Sequence, residues 1–189
     1  MKIGLFGGSF NPIHNGHIAL ARQLLDKGGL DEVWLMVSPQ NPLKERGDLL
    51  EDNVRFEMAK EALKDEPRIK ASDYELHLPK PSYTWNTLQH LKDDFPNDTF
   101  VLLIGGDNWE LFPRWYRSED IIRDYKIIVY PRRGYETDSS SLPQNVSIVD
   151  AEYLDISSTE IRDCIKNGGS IEKLVPHSII EDIIKNYRL

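Results

Sequence analysis

Three observations predict a doubly wound α/β fold with a parallel sheet. Short apolar runs rich in β-formers alternate with amphipathic helical patterns along the chain. Two of those runs end in glycine pairs, and no heptad series or repeat of 20 to 50 residues interrupts the alternation. In such a sheet the ligand site lies outside the strand C-termini, so the residues that follow each strand are where chemistry is expected.

The elements follow in order. Residues 3–6 form an apolar strand ending in Gly7-Gly8, and Ile18, Ala19, Ala21, Leu24 and Leu25 then recur at helical spacing from about Asn15 until Gly28-Gly29 stops them. Residues 33–37 read as a buried strand closed by Pro39, Asn41 and Pro42. Residues 51–64 make an amphipathic helix that ends before Pro67. Over 69–78 the alternation of Tyr74, Leu76 and Leu78 predicts a third strand, exposed because of Asp73 and Glu75. A helix over 83–95 takes Ser82 or Thr84 as its N-cap. Residues 100–104 give the strongest strand signal and end in Gly105-Gly106, followed by Asp107. A helix over 118–125, a strand over Lys126–Tyr130, a polar loop over 132–145 and a short strand over 146–149 come next. Helices over 157–167 and 176–187, the second opening with Pro176, complete the chain.

Composition narrows the function. At 189 residues, 40% hydrophobic and 29% charged, the chain is large enough for one well-filled core. No apolar run approaches the roughly 20 residues that span a bilayer, and no secretory signal opens the sequence, so a cytoplasmic protein without a membrane role is expected. A formal charge of −8 with no concentrated basic patch argues against nucleic-acid partners. The single cysteine, Cys164, excludes an intramolecular disulfide and reads as a small buried helix residue. A homo-oligomer is compatible with the sequence.

Three polar clusters fall where the sheet would gather a ligand: after the first strand, after the strand over 100–104, and at the start of the first C-terminal helix. In the first, Gly7, Gly8, Ser9, Phe10, Asn11 and Pro12 lead into a helix start carrying His14 and His17. Glycines permit a tight turn and close approach, and a helix N-terminus directs N–H groups at an anion, so a phosphate fits this environment. Two imidazoles three residues apart can donate to the same polyphosphate. A lone histidine beside a glycine turn would more often be structural. Half of a metal site is disfavoured because no third His, Cys or carboxylate follows at ligand spacing.

His14-Asn15-Gly16-His17 resembles the His-x-Gly-His signature of the nucleotidylyltransferase superfamily, and Ile156-Ser157-Ser158-Thr159-Glu160-Ile161-Arg162 resembles its second signature. Within that superfamily the chain is most similar, over essentially its whole length, to the bacterial nicotinate-nucleotide adenylyltransferase family. The segments Asn41-Pro42-Leu43-Lys44 and Ser82-Tyr83-Thr84-Trp85-Asn86-Thr87-Leu88 carry that likeness. So do Gly105-Gly106-Asp107 with Leu111 and Trp115, and the strand end before Gly134. Ser9 and Asn11 stand where the family commonly has Thr and Asp, and Arg132-Arg133-Gly134 replaces a more usual Arg-Pro-Gly.

The resemblance implies a Rossmann-like nucleotidylyltransferase fold over one domain, 1–189, whose C-terminal helices over 157–189 complete the ATP phosphate site. It implies transfer of AMP from ATP to nicotinate mononucleotide, with Mg²⁺ held mainly by the ATP phosphates and water. His14, His17 and Lys44 are the expected catalytic groups: His17 at the α-phosphate, His14 at the ATP phosphates, Lys44 where the substrates meet. Gly8, Ser9, Phe10, Gly105, Asp107, Arg132, Ile156, Ser157, Ser158, Thr159 and Arg162 are expected to bind ATP with the two histidines. Asp107 would take a ribose hydroxyl, and Arg162 with the three hydroxyl residues would hold the outer phosphates. A capping box from Ser157 or Ser158 is the structural alternative for those serines. Lys44, Tyr83, Thr84, Trp85, Trp115 and Tyr116 are expected to bind nicotinate mononucleotide. Trp115 would be the stacking platform, and backbone N–H groups near Thr84 and Tyr116 would meet the nicotinate carboxylate; Trp34 and Trp109 are left to packing. Competing readings are the same transfer to nicotinamide mononucleotide or phosphopantetheine, a nucleotide sensor without turnover, and a flavodoxin-like carrier.

Overall fold

The computed structural model describes residues 1–39, 49–152 and 154–188. Six parallel strands form one sheet in the order β3-β2-β1-β4-β5-β6. They are β1 (Lys2–Gly8), β2 (Glu32–Val37), β3 (Ile69–Ser72), β4 (Thr99–Gly105), β5 (Lys126–Tyr130) and β6 (Val146–Ile148). This is the doubly wound order, with its reversal of direction between β1 and β4. The helices are α1 (Asn15–Lys27), α2 (Asp52–Ala62), α3 (Thr84–Asp94), α4 (Gly106–Leu111), α5 (Ser118–Asp124), α6 (Ser158–Lys166) and α7 (Ile180–Tyr187).

The central strands are apolar on both faces because helices cover both. Successive residues point to opposite sides: Ile3, Leu5, Leu102, Ile104, Ile127 and Val129 join a core with Leu88 and Leu91 of α3 and Ile121 of α5. Phe6, Val101, Leu103, Ile128 and Tyr130 join the other core, with Leu24 of α1, Met58 of α2, Ile161 of α6 and Ile183 of α7. Each fully buried Leu or Ile contributes roughly 1.5–3 kcal/mol relative to exposure. Both C-terminal helices therefore pack on the face that carries α1. No helix among the described residues is long and apolar enough to cross a membrane.

Three expectations need correction, and one helix was not foreseen. β3 ends at Ser72, and Tyr74–His77 coil into a 3₁₀ turn instead of continuing the strand. The Tyr74 N–H reaches the Ser72 hydroxyl at 3.3 Å, and this local bond competes with strand pairing. The N-cap of α3 is Tyr83, with no side-chain cap bond, so neither Ser82 nor Thr84 plays that part. α4 was not visible in the pattern, being six residues that open on a glycine. The last helix begins only after a 3₁₀ turn over His177–Ile179, so Pro176 precedes it by a full turn.

Candidate active site

The loop from β1 to α1 is held in an unusual conformation. Phe10 takes a left-handed φ of 46°, rare for an aromatic residue, while its ring is buried edge-on to Phe6 at 5.8 Å and to His17 at 5.0 Å. The backbone at this position thus serves the turn, and the ring serves the core. Asn11, 5% exposed, is locked: its Oδ1 accepts from the Leu50 N–H at 3.2 Å and from the Tyr187 hydroxyl.

His14 is the N-cap of α1. Its Nδ1 accepts the His17 N–H at 3.3 Å, and Nδ1 of His17 accepts the His14 N–H at 3.2 Å. Both Nδ1 atoms are therefore unprotonated, and in the neutral rings the proton resides on Nε2, leaving one donor on each ring. The rings stack at 3.6 Å. Burial, followed by the charge of Arg132, lowers the His14 pKa to about 4; burial, His14 and Arg132 hold His17 well below its ordinary value. Gly16 makes the stack possible, since a Cβ there would sit 3.0 Å from the His14 ring.

At the start of α6 the structural alternative holds for Ser157. Its Oγ accepts the Glu160 N–H at 3.1 Å and Glu160 accepts the Ser157 N–H at 3.0 Å, a complete capping box. The Ser158 hydroxyl donates to the Pro12 carbonyl at 2.9 Å. Arg162 donates to the Asn11 carbonyl at 2.7 Å and to Thr159 Oγ1 at 3.2 Å. Of the hydroxyls expected on the phosphates, that of Ser157 closes the cap of α6, that of Ser158 ties α6 to the β1–α1 loop and that of Thr159 accepts from Arg162. What faces outward is the first turn of N–H groups at Ser158 and Thr159. Ile156 packs against the core beside Gly16.

Of the two neighbouring arginines, Arg132 faces the histidines: its charge acts on both rings, and its guanidinium lies 5.6 Å from the Tyr130 ring and 3.6 Å from Asp107. Arg133 is turned to Asp155 at 3.5 Å, with 78% of its side chain exposed. Asp107 and Arg132 are brought together by Gly105, where a Cβ would lie 2.5 Å from Asp107 Oδ1 and 2.8 Å from Arg132 Cγ.

A cavity of about 560 Å³ opens beside β1 and β4 at their C-terminal ends. Gly7, Gly8, Ser38, Tyr83, Thr84 and Trp115 line it, and Tyr130 connects it to the histidines by packing on Phe6 at 5.7 Å. Ser9 is exposed in the loop just beyond. Tyr83 and Tyr116, both about half exposed, lie ring to ring at 4.9 Å over the same region. Because α3 has no side-chain cap, the N–H groups of its first turn are available at the cavity wall.

Trp85 is corrected: its ring is 8% exposed, edge-on to Tyr125 at 6.3 Å and covered by Arg117 at 4.6 Å, so it is a core residue and only its N–H belongs to the α3 terminus. Trp34 and Trp109 pack against the same core, as expected. Lys44 and the rest of Asn41-Pro42-Leu43-Lys44 lie outside the described residues.

Sequence reading missed four groups. Ser82 lines the cavity, and its buried Oγ has no hydrogen-bond partner there. Asn108 lines it too, and so does Glu75, whose carboxyl burial pushes up in pKa while Thr87 Oγ1 donates to it at 3.0 Å. Glu75 was read as evidence of exposure, and only the 3₁₀ turn carries it inward. The fourth is Arg55, read as one of the charged positions of an amphipathic helix but fully buried.

A family model described as cytidylyltransferase-like matches residues 5–164. A protein of Bacteroides fragilis named a probable nicotinate-nucleotide adenylyltransferase is 47% identical over 184 residues, covering 97% of this chain and 92% of its own. One of the same name from Cytophaga hutchinsonii is 45% identical, covering 97% and 96%. Among solved structures, the Plasmodium falciparum nicotinic acid mononucleotide adenylyltransferase complexed with NaAD superposes with a TM-score of 0.79. It is 24% identical and covers 98% of this chain and 95% of its own, a likeness of fold.

Proposed function

The chain belongs to the cytidylyltransferase-like family and, within it, to the nicotinate-nucleotide adenylyltransferases, and from that premise we propose how its site makes nicotinate adenine dinucleotide. A phosphate oxygen of nicotinate mononucleotide forms a bond to the α-phosphorus of ATP. The bond from that phosphorus to the bridging α–β oxygen breaks, and pyrophosphate leaves with the electron pair. The acceptor phosphate has a second pKa near roughly 6 and is largely dianionic at neutral pH, so neither a protein nucleophile nor a general base is required. What the protein supplies is alignment of two anions and stabilisation of charge on the transferred and leaving phosphates.

The observation that carries this reading is the reciprocal His14–His17 cap, which leaves one Nε2–H donor on each neutral ring just beyond the C-terminal end of β1. His17 donates to the α-phosphate and its transition state, and His14 to the ATP phosphates. Lys44 takes the meeting point of the two substrates on the strength of the family likeness. Arg132, the α6 first-turn N–H groups and Arg162 meet the outer phosphates, and Asp107 takes a ribose hydroxyl. Trp115 stacks on the pyridine ring, with Tyr83 and Tyr116 beside it. The uncapped α3 terminus at Thr84 favours the nicotinate carboxylate over a neutral amide.

Among the described residues no cluster of three or more His, Cys, Asp or Glu side chains could cage a metal ion. Mg²⁺ is assigned to the MgATP substrate, held by phosphates and water. Lone Cys164, a free thiol, and ATP as substrate support a cytoplasmic setting.

The test is chromatography of the product. Incubation with MgATP and nicotinate mononucleotide yields the acid dinucleotide and pyrophosphate in equal amounts. Pyrophosphate appearing without dinucleotide would mean hydrolysis and overturn the assignment.

A further inference from the structure

Three carbonyl oxygens of the β1–α1 loop are occupied by donors on neighbouring helices. The Ser9 carbonyl accepts from Arg55, that of Asn11 from Arg162, and that of Pro12 from Ser158. A carbonyl turned toward a polyphosphate would repel it, so drawing these oxygens to donors on α2 and α6 leaves the N–H side of the loop and the two imidazoles to the ligand.

Arg55 is the unexpected member. Its side chain is 0% exposed, deep enough that burying the guanidinium costs several kcal/mol unless it is paired. The pairing is extensive: Nε donates to the Leu50 carbonyl at 2.9 Å, Nη2 to the Ser38 carbonyl at 2.9 Å and to Asp52 at 2.6 Å, and Nη1 to Ser9. Ser38 follows β2 and Ser9 follows β1, so one planar group fixes two strand-end loops against each other. Asp52 extends the chain of contacts to Lys80, 3.7 Å away on the cavity wall. For packing alone an apolar side chain would serve α2 at less desolvation cost, as Met58 and Ala59 do one turn on. The Tyr187 hydroxyl, in a residue 4% exposed at the end of α7, donates to Asn11 Oδ1 in the same turn.

We propose that Arg55 is a positioning residue for the transfer reaction, touching neither substrate but holding the Ser9–Asn11 turn in the shape that presents its phosphate donors, with Tyr187 bracing the same turn from α7. This rests on the function proposed above.

The experiment compares wild type, Arg55→Lys and Tyr187→Phe, each verified as folded by circular dichroism. Affinity for inorganic pyrophosphate and for adenosine is measured by calorimetry, and kcat and KM by pyrophosphate release. Arg55→Lys is expected to weaken pyrophosphate and lower kcat by about tenfold or more, since small misplacements of such donors are costly. Tyr187→Phe does the same by a smaller factor of about three, and adenosine affinity stays within about twofold in both. Pyrophosphate affinity and kcat unchanged in the folded variants, or pyrophosphate and adenosine weakened together, would overturn the proposal. If Arg55→Lys does not fold, Tyr187→Phe decides by the same ratio. A wild type that binds pyrophosphate but makes no dinucleotide overturns the proposed function instead, and the positioning role is then decided by the pyrophosphate arm alone.

Discussion

At His14 and His17 the same atoms serve fold and chemistry. Each Nδ1 closes one half of the cap, which in the proposed function leaves each Nε2–H to the ligand. Replacing His17 by Ala removes a donor from the α-phosphate, and a donor of this kind is worth about 10²–10³ in rate. Turnover should fall by that factor in a protein that still folds, as read by dinucleotide formation; near-normal turnover would remove the histidine from the mechanism. The depressed pKa values also predict how stability depends on pH. Between the ordinary 6.5 and about 4 for His14, the unfolded chain binds protons that the native state does not, so stability falls as pH falls through that window. For His14 alone the effect is on the order of 3 kcal/mol. His14→Asn keeps a capping side chain and removes the titration, so its urea midpoint should vary less with pH over this range than wild type; identical slopes would contradict the assignment.

At the scale of elements, α6 shows that residues of a ligand-binding signature also carry structural bonds of their own. The second signature marks the loop–helix junction, but Ser157 caps the helix and Ser158 ties it to Pro12. Ser157→Ala should therefore cost about 1 kcal/mol of stability, measured by urea denaturation; no loss would mean that the box contributes nothing. The two tryptophans of the acceptor region separate in the same way. Trp115→Ala should raise KM for nicotinate mononucleotide about tenfold or more with the fold retained, because its face borders the cavity. Trp85→Ala should cost about 3–5 kcal/mol of stability instead, because its ring fills the core between α3 and α5. Reversal of these two outcomes, by kinetics and denaturation, would contradict the placement.

For the whole molecule, what could be read from sequence was what local pattern encodes. β1, β2, β4 and β5 are buried on both faces, so they stand out as continuous apolar runs, and the glycine pairs mark the C-terminal ends of β1 and β4. The turn at Tyr74–His77 was not legible because its alternation mimics a strand, while the bonds that turn the chain, from the Tyr74 N–H to Ser72 and from the Leu76 N–H to the Asp73 carbonyl among them, leave no mark in the pattern. Arg55 was hidden for a different reason: its donors are satisfied by carbonyls of Ser9, Ser38 and Leu50, partners that sequence spacing does not reveal. The reach of Tyr187 back to Asn11, across 176 positions, is equally non-local. In the proposed function the phosphate side of the site falls to α1 and α6 and the acceptor side to α3, joined at the β1 loop.

That division makes acceptor choice the most direct test. Pyrophosphate release should be measured with MgATP and either nicotinate mononucleotide or nicotinamide mononucleotide at matched concentrations. The account predicts release strongly favouring the acid, through the uncapped N-terminus of α3. Equal rates with the two acceptors would contradict it.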